Sequence, residues 1–181
     1  MDRMINAGVR VFKIEGRARS AEYVSTVVSC YKEALKACME GTFTDEKKDN
    51  WDKRLATVFN RGFWDGYYLG QKLGEWSDKY GSQATERKVY IGKGIKYFSK
   101  LEVGEFLIEA GEMRVGDKLL ITGPTTGAIY LTLEEARVDL GAVDVVPKGS
   151  YVSFKVPVKV RPNDKLYKVI STVGESSSCN D

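Results

Sequence analysis

Histidine is missing from this sequence: none of its 181 residues is a histidine. Histidine is the side chain that titrates near neutral pH, the usual base of a hydrolytic triad and the commonest metal ligand in proteins. Its absence excludes Ser-His-Asp and Cys-His catalysis by this chain. Proteolytic activity of the chain by itself is therefore not expected.

Cysteine is scarce, with three residues in the chain. Cys30 and Cys38 fall on one predicted helix and are separated by more than two helical turns. That distance is too long for a disulfide in a straight helix, and the spacing fits no zinc motif. Cys179 lies in a polar terminal stretch. We therefore predict reduced thiols and no metal or cofactor site within this chain.

Long apolar stretches are absent as well. No segment approaches the roughly 18 to 20 apolar residues that a membrane helix needs, and residues 1–6 lack the apolar core of a secretory signal. We predict a cytoplasmic protein with no membrane partner. The net charge of +3 is too small to identify a nucleic acid as partner unless the basic residues gather on one face.

Residues 1–70 have the pattern of one strand followed by helices. Residues 9–14 alternate in part and are rich in β-branched side chains, which predicts a strand. Ser20 is a good N-cap for a helix that ends near Gly41, and the polar run from Thr44 begins a second helix that carries Trp51. A strand this short needs neighbouring strands. We therefore expect this chain to be the tail end of a larger protein, with the beginning of its first domain missing.

Residues 88–170 have the pattern of a second domain. Short apolar strands recur at a spacing of roughly ten residues, separated by turn sequences such as Gly116-Asp117 and Pro162-Asn163-Asp164. This pattern predicts a small, closed, antiparallel β-barrel, so the fold class is α+β. Residues 71–87 predict a linker, and residues 171–181 predict a disordered tail.

The candidate catalytic residues are Lys13, Glu15 and Arg17. Alternation along a strand places these three side chains on one face, away from Phe12 and Ile14. A lysine and an arginine there can hold a carboxylate or a phosphate, and Glu15 can pair with either or exchange a proton. The alternative is an ion-paired rim that only fixes the end of the strand.

The second domain carries the candidate substrate-binding residues Lys93, Lys96, Tyr97 and Lys100. Lysines interleaved with tyrosines can follow an RNA backbone while a ring stacks on a base. Acidic residues are mixed into the same strands, so a solvated surface also explains the pattern. The charge pattern leaves both interpretations open.

Three separated segments of the first domain resemble one protein family. They are Gly8–Arg17, Ser20–Val24, and Phe59–Phe63 with Gly66–Tyr68, and they are similar to the collagenase-like peptidases, family U32 of those with unknown catalytic type. Residues 110–121, 146–154 and 160–167 are similar to the second domain of translation elongation factors. The resemblance implies that residues 1–70 are the C-terminal remnant of a catalytic TIM-type barrel. It also implies that residues 88–170 are the family's accessory β-barrel.

The resemblance carries functional expectations too. The family name comes from proteolysis, but members are associated with oxygen-independent hydroxylation of tRNA uridine, ribosomal RNA cytidine and quinone precursors. In those members an iron–sulfur cluster is held by cysteines that belong to the part upstream of this chain. Cys30, Cys38 and Cys179 do not match that pattern.

We therefore expect the C-terminal portion of an RNA (tRNA) hydroxylation enzyme, whose β-barrel docks RNA and whose first domain contacts the rest of the catalytic domain. One alternative is the C-terminal portion of a protease, with the barrel recognising a protein substrate. Another is a barrel with an architectural or dimerisation role. A quartet of cysteines upstream would favour hydroxylation.

Overall fold

The computed structural model describes residues 1–60, 62 and 82–172. The chain divides into two compact units. The helical unit takes in the described residues up to Glu86 together with Thr172, and the sheet unit runs from Arg87 to Ser171. Residues 71–81 of the predicted linker and residues 173–181 of the predicted tail lie outside the described residues. No helix of the described part is long and apolar enough to span a membrane.

The helical unit contains α1 (Asp2–Asn6), α2 (Ala21–Met39) and α3 (Asp45–Ala56). The helices predicted after Ser20 and from Thr44 are thereby confirmed. The hydroxyl of Thr44 accepts a hydrogen bond from the backbone N–H of Lys47 at 3.3 Å, which caps α3. The core between α2 and α3 consists of Cys30, Ala34, Ala37 and Trp51, with Met1, Phe43 and Leu55 packed against it.

Residues 9–14, predicted to be a strand, form no strand in the structure. Their side chains still alternate, because Phe12 and Ile14 are half-buried while Val11 and Lys13 are exposed. A strand is stabilised by hydrogen bonds to a neighbouring strand, and none of the described strands pairs with this segment. The segment therefore has no strand ladder, and the prediction that residues 1–70 are the remnant of a TIM-type barrel is not confirmed.

The sheet unit is built from ten strands within the described residues. They are β1 (Glu86–Phe98), β2 (Val103–Ile108), β3 (Glu112–Arg114), β4 (Lys118–Gly123), β5 (Gly127–Thr132), β6 (Ala136–Val138), β7 (Gly141–Val143), β8 (Val145–Pro147), β9 (Tyr151–Lys155) and β10 (Lys165–Ser171). Eight of them form one sheet in the order β5-β4-β10-β1-β2-β9-β6-β7, and β3 pairs with β8 in a second, two-stranded sheet.

The large sheet has one core face. On β2, the buried residues Gly104, Phe106 and Ile108 alternate with half-buried ones, and on β9 Val152 and Phe154 are buried in the same way. This period of two is the mark of a strand with one face on the core. The rings of Phe106 and Phe154 stack at 4.6 Å between centroids in the middle of that core.

The prediction of a closed barrel for residues 88–170 is wrong, because the sheet is open and ends at β5 and β7. Leu131 of β5 and Val143 of β7 nevertheless pack against the same core as Phe106, so the sheet curls around one core without joining its ends. Both strands at this end of the sheet, β6 and β7, are three residues long, and none of the described strand pairs joins β7 to β5. Strands this short offer few backbone groups for a closing ladder.

Candidate functional site

The structure places Lys13, Glu15 and Arg17 in the segment after α1, and all three side chains are exposed. The backbone N–H of Arg17 donates a hydrogen bond to Oε1 of Glu15 at 2.7 Å, which tightens the turn at Gly16. Within the described residues no ion pair joins the three side chains. The two cations are therefore open to a ligand, and the carboxylate of Glu15 is engaged by the backbone of its own turn.

Arg19 was missed by the sequence reasoning. Its guanidinium lies 4.1 Å from the ring centroid of Phe59 and 5.6 Å from that of Tyr23. These cation–π contacts fix the turn that carries Glu15 and Arg17 against the helical unit. Contacts between a loop and a residue forty positions away leave no local signal in a sequence, so the pairing becomes visible only in the fold.

A bulge in β1 determines where the lysines of the sheet unit point. Lys93 lies opposite Leu107 of β2, and Lys96 lies opposite Glu105, with a register shift between Gly94 and Lys96. Leu107 and Glu105 are both on the face of β2 that is turned away from the core, which we call the outer face. Although Lys93 and Lys96 are an odd number of residues apart, the extra residue of the bulge brings both to the outer face.

The charge of Lys93 is partly engaged. Its Nζ lies 2.8 Å from Oε1 of Glu109, and the hydroxyl of Tyr90 donates to Oε2 of the same carboxylate at 2.5 Å. The hydrogen bonds from Lys93 and then Tyr90 hold the pKa of Glu109 below its usual range, and Glu109 raises the pKa of Tyr90 to about 12. Lys96 is exposed, with Nζ 4.9 Å from the ring centroid of Phe98.

Tyr97 does not join these lysines. It lies opposite Gly104, a core-face residue of β2, and its ring packs against the core. Its hydroxyl donates a hydrogen bond to the carbonyl oxygen of Val156 at 3.0 Å, and burial raises its pKa. An exposed ring on the outer face is Tyr151 of β9, which lies opposite Leu107 and is 54% exposed. The bulge, which the sequence pattern does not reveal, explains this difference.

A groove of about 970 Å³ lies on the outer face of β2 and β9. We call it the outer groove. Its apolar lining includes Phe98, Leu101, Val103, Leu131, Leu140 and Tyr151. Its charged lining consists of Glu105, Glu134, Glu135, Asp139, Arg137 and Lys155. Sequence reasoning missed this groove because its residues come from several separate segments that the open sheet brings together.

The cysteines of the described residues do not form a cluster site. Cys30 is buried between α2 and α3, where desolvation raises its pKa, and Cys38 lies further along α2. Two thiols that far apart on one helix cannot ligate the same cluster. Within the described part of the chain, no group of three or more acidic or cysteine side chains is arranged to hold a metal ion.

Comparisons with known proteins agree with the resemblance seen in the sequence. The profile of Peptidase family U32 matches residues 1–78. The chain is 60% identical to a collagenase of Porphyromonas gingivalis over 93% of its own length and 41% of that protein, and 26% identical to tRNA hydroxylation protein P of Escherichia coli over 92% of its own length and 36% of that protein. The chain thus spans about two fifths of the length of these relatives.

Among solved structures, the C-terminal domain of a Geobacillus thermoleovorans putative U32 peptidase matches 44% of this chain and 90% of its own, at 20% identity and a TM-score of 0.42. The motifs singled out in the sequence, from Gly8 to Tyr68, all fall inside the segment that the family profile matches. The family inferred from those motifs is confirmed: this chain belongs to peptidase family U32.

Proposed function

We propose that this chain is the C-terminal portion of an RNA (tRNA) hydroxylation enzyme of family U32 and that its sheet unit docks the RNA. The observation that carries the proposal is the position of Lys93 and Lys96 together on the outer face of β1. Lys100 follows in the exposed turn after β1, and Tyr151 presents an exposed ring on the same face. Cations that follow a backbone beside a ring that stacks on a base are the elements of single-strand binding.

The relatives named as tRNA hydroxylation proteins support the RNA proposal, since two of them match more than nine tenths of this chain. Hydroxylation chemistry in this family implies an iron–sulfur cluster. The described cysteines do not fit one, so we derive no reaction step from it. Lys13 and Arg17, which are exposed and form no ion pair with an acidic group within the described residues, are proposed to hold a phosphate or a carboxylate of the substrate beside Glu15.

Titration of the full chain with an unmodified tRNA transcript at several salt concentrations tests this proposal. We expect micromolar or weaker affinity at physiological salt, in the range of about 10⁻⁴ to 10⁻⁶ M that is typical of non-specific contacts. The triple variant Lys93→Ala, Lys96→Ala and Lys100→Ala should flatten the salt slope by about one unit for each phosphate contact that is lost.

The matched control removes three exposed lysines from the helical unit: Lys36→Ala, Lys48→Ala and Lys53→Ala. It changes the net charge equally and places alanine, a good helix former, at helical positions. The control variant should bind tRNA more tightly than the triple variant of Lys93, Lys96 and Lys100. A titration that is insensitive to salt, or equal affinities of the two triple variants, would contradict the proposal.

A second candidate function is recognition of a protein substrate by the sheet unit, as part of a protease. It is favoured by one observation, the 60% identity to a relative named as a collagenase. Immobilised gelatin provides the test. Retention of the full chain on gelatin, with equal retention of the lysine triple variant, would favour this candidate. Loss of retention in the lysine triple variant alone would show that the binding is electrostatic.

A further inference from the structure

The lysines of the proposed RNA contacts lie on β1 and the turn after it, outside the lining of the outer groove, whereas Tyr151 is common to both sites. It occupies the outer face of β2 and β9, next to the end of β5 and the hairpin of β6 and β7. Its volume of about 970 Å³ is in the range of sites that hold several side chains of a ligand. The apolar lining provides the area that such a ligand would cover.

The charges of the outer groove are mainly negative. Within the part of the chain that the structure describes, the carboxylates of Glu105, Glu134 and Asp139 form no ion pair and accept no hydrogen bond. Glu135 pairs with Arg137 at 2.5 Å, which neutralises both. Lys155 is then the remaining cation of the lining. An acidic groove repels phosphate groups and attracts basic side chains, so its charge is the opposite of what an RNA backbone requires.

The strands beside the groove favour an extended ligand. The sheet ends at β5 and at β7, and Leu131 of β5 and Leu140, next to β7, both line the groove. The edge of a sheet presents backbone donors and acceptors that an added strand can use. A polypeptide can supply such a strand, and a nucleic acid cannot.

Leu140 supplies an exposed apolar contact at a conformational cost. The two residues between β6 and β7, Asp139 and Leu140, have φ angles of 49° and 68°. A two-residue turn with both φ angles positive is usually made with glycine or asparagine, and a leucine in this conformation is strained. Leu140 is also 91% exposed. The sequence therefore places a large apolar side chain at the rim of the groove where a glycine would fit better.

We propose that the outer groove binds an extended polypeptide segment in which basic side chains alternate with apolar ones. The apolar side chains contact Leu140, Tyr151 and the apolar floor, and the basic ones pair with Glu134, Asp139 and Glu105. The carboxylates of the groove are separate from the lysines that carry the proposed RNA docking, and Tyr151 is shared by the two sites. Variants of the carboxylates and variants of the lysines therefore test the two proposals independently.

A fluorescent heptapeptide in which valine and leucine alternate with arginine and lysine is the probe, with anisotropy measured on the full chain. The groove variant Glu134→Gln with Asp139→Asn should bind it about five- to tenfold more weakly than the parent, because two ion pairs are lost. The matched control, Asp49→Asn with Asp144→Asn, removes two exposed carboxylates that do not line the groove and should bind like the parent.

Leu140→Gly separates binding from folding. Glycine adopts a positive φ without strain, so this variant should be at least as stable as the parent in thermal unfolding. It should nevertheless bind the peptide several-fold more weakly, because the apolar contact of Leu140 is lost. Parent-like affinity of the groove variant, or equal binding of a peptide with glutamate at the basic positions, would each overturn the proposal. The lysine triple variant should bind the peptide like the parent.

Discussion

Glu33 of α2 and Arg54 of α3 are joined by two hydrogen bonds, NH1 to Oε2 at 2.5 Å and NH2 to Oε1 at 3.0 Å. The indole Nε1 of Trp51 donates to the same Oε2 at 2.9 Å. One carboxylate thus connects α2 to two successive turns on one face of α3, beside the buried ring of Trp51. Such a bidentate arrangement fixes geometry as well as adding energy.

Glu33→Gln is expected to destabilise the full chain by about 1 kcal/mol at neutral pH, because the bidentate charge pair is lost while an acceptor for Trp51 remains. The partial exposure of Glu33 and Arg54 keeps the effect small. Urea unfolding followed by far-ultraviolet circular dichroism measures it. Glu40→Gln, whose partner Lys36 is well exposed, is the matched control and should be near neutral.

The pH dependence of the same pair has a definite sign. Arg54 holds the pKa of Glu33 below its ordinary value, so this carboxylate stabilises the fold above that ordinary pKa of about 4.3 and loses its contribution as the pH falls further. The difference in stability between the parent and Glu33→Gln should therefore shrink in acid. If the stability difference between the two proteins grows on acidification, the ion pair of Glu33 and Arg54 is not the source of that difference.

Gly123→Ala is expected to be among the most destabilising single changes in the sheet unit. A Cβ at this position would lie 1.8 Å from Oδ1 of Asp164. Asp164 is buried and accepts hydrogen bonds from the backbone of Arg161 at 2.8 Å and from the hydroxyl of Thr126 at 2.6 Å. Displacing it leaves buried polar groups unpaired, at a cost of at least about 2 kcal/mol in the free energy of unfolding.

Gly141→Ala provides the comparison for Gly123→Ala in thermal unfolding. At Gly141 the new methyl group would have the carbonyl oxygen of Val138 as its nearest contact, at 3.5 Å. That distance is ordinary van der Waals contact, so this variant should unfold close to the parent. Equal effects of the two alanines would contradict the importance of the Asp164 contact.

Tyr90 should titrate separately from exposed tyrosines. Glu109 raises the pKa of Tyr90 to about 12, so its phenol stays neutral when ordinary tyrosines ionise near pH 10. A raised pKa means that the stabilisation from this hydrogen bond is present below the ordinary value and is lost as the pH rises toward 12. In an ultraviolet titration, Glu109→Gln should return the pKa of one tyrosine to the ordinary range. Tyr90→Phe should remove the ionisation near pH 12 that belongs to Tyr90.

Tyr97 and Tyr151 should differ in their effects on RNA and on stability. Tyr97→Phe removes the hydrogen bond to Val156, so we expect a loss of about 1 kcal/mol in stability and little change in tRNA affinity. Tyr151→Leu should weaken tRNA binding by about 1 to 3 kcal/mol if a base stacks on this ring. The reverse outcome would return the stacking role to Tyr97, as the sequence pattern predicts.

The sequence predicted the helices well because their signals are local. Ser20 and Thr44 precede the helices at the positions where capping residues belong, and the apolar period follows. The strand at residues 9–14 failed because alternation reports which side chains face a core, and not whether a second strand is present. Lys93 and Lys96 were foreseen as candidates, but their common face depends on a register shift that only the pairing with β2 fixes.

The first and last strands of the sheet unit, β1 and β10, are neighbours in the sheet. At their outer ends, the backbone N–H of Thr172 donates to the carbonyl of Thr85 at 2.9 Å. The polypeptide thus enters and leaves this unit at one place, about one strand spacing of roughly 5 Å apart. A unit with such a layout can be grafted into a surface loop of a host protein without spreading the host's own chain. The same unit can be circularly permuted, with a short linker that joins the end of β10 to the start of β1 and new chain ends placed in another turn.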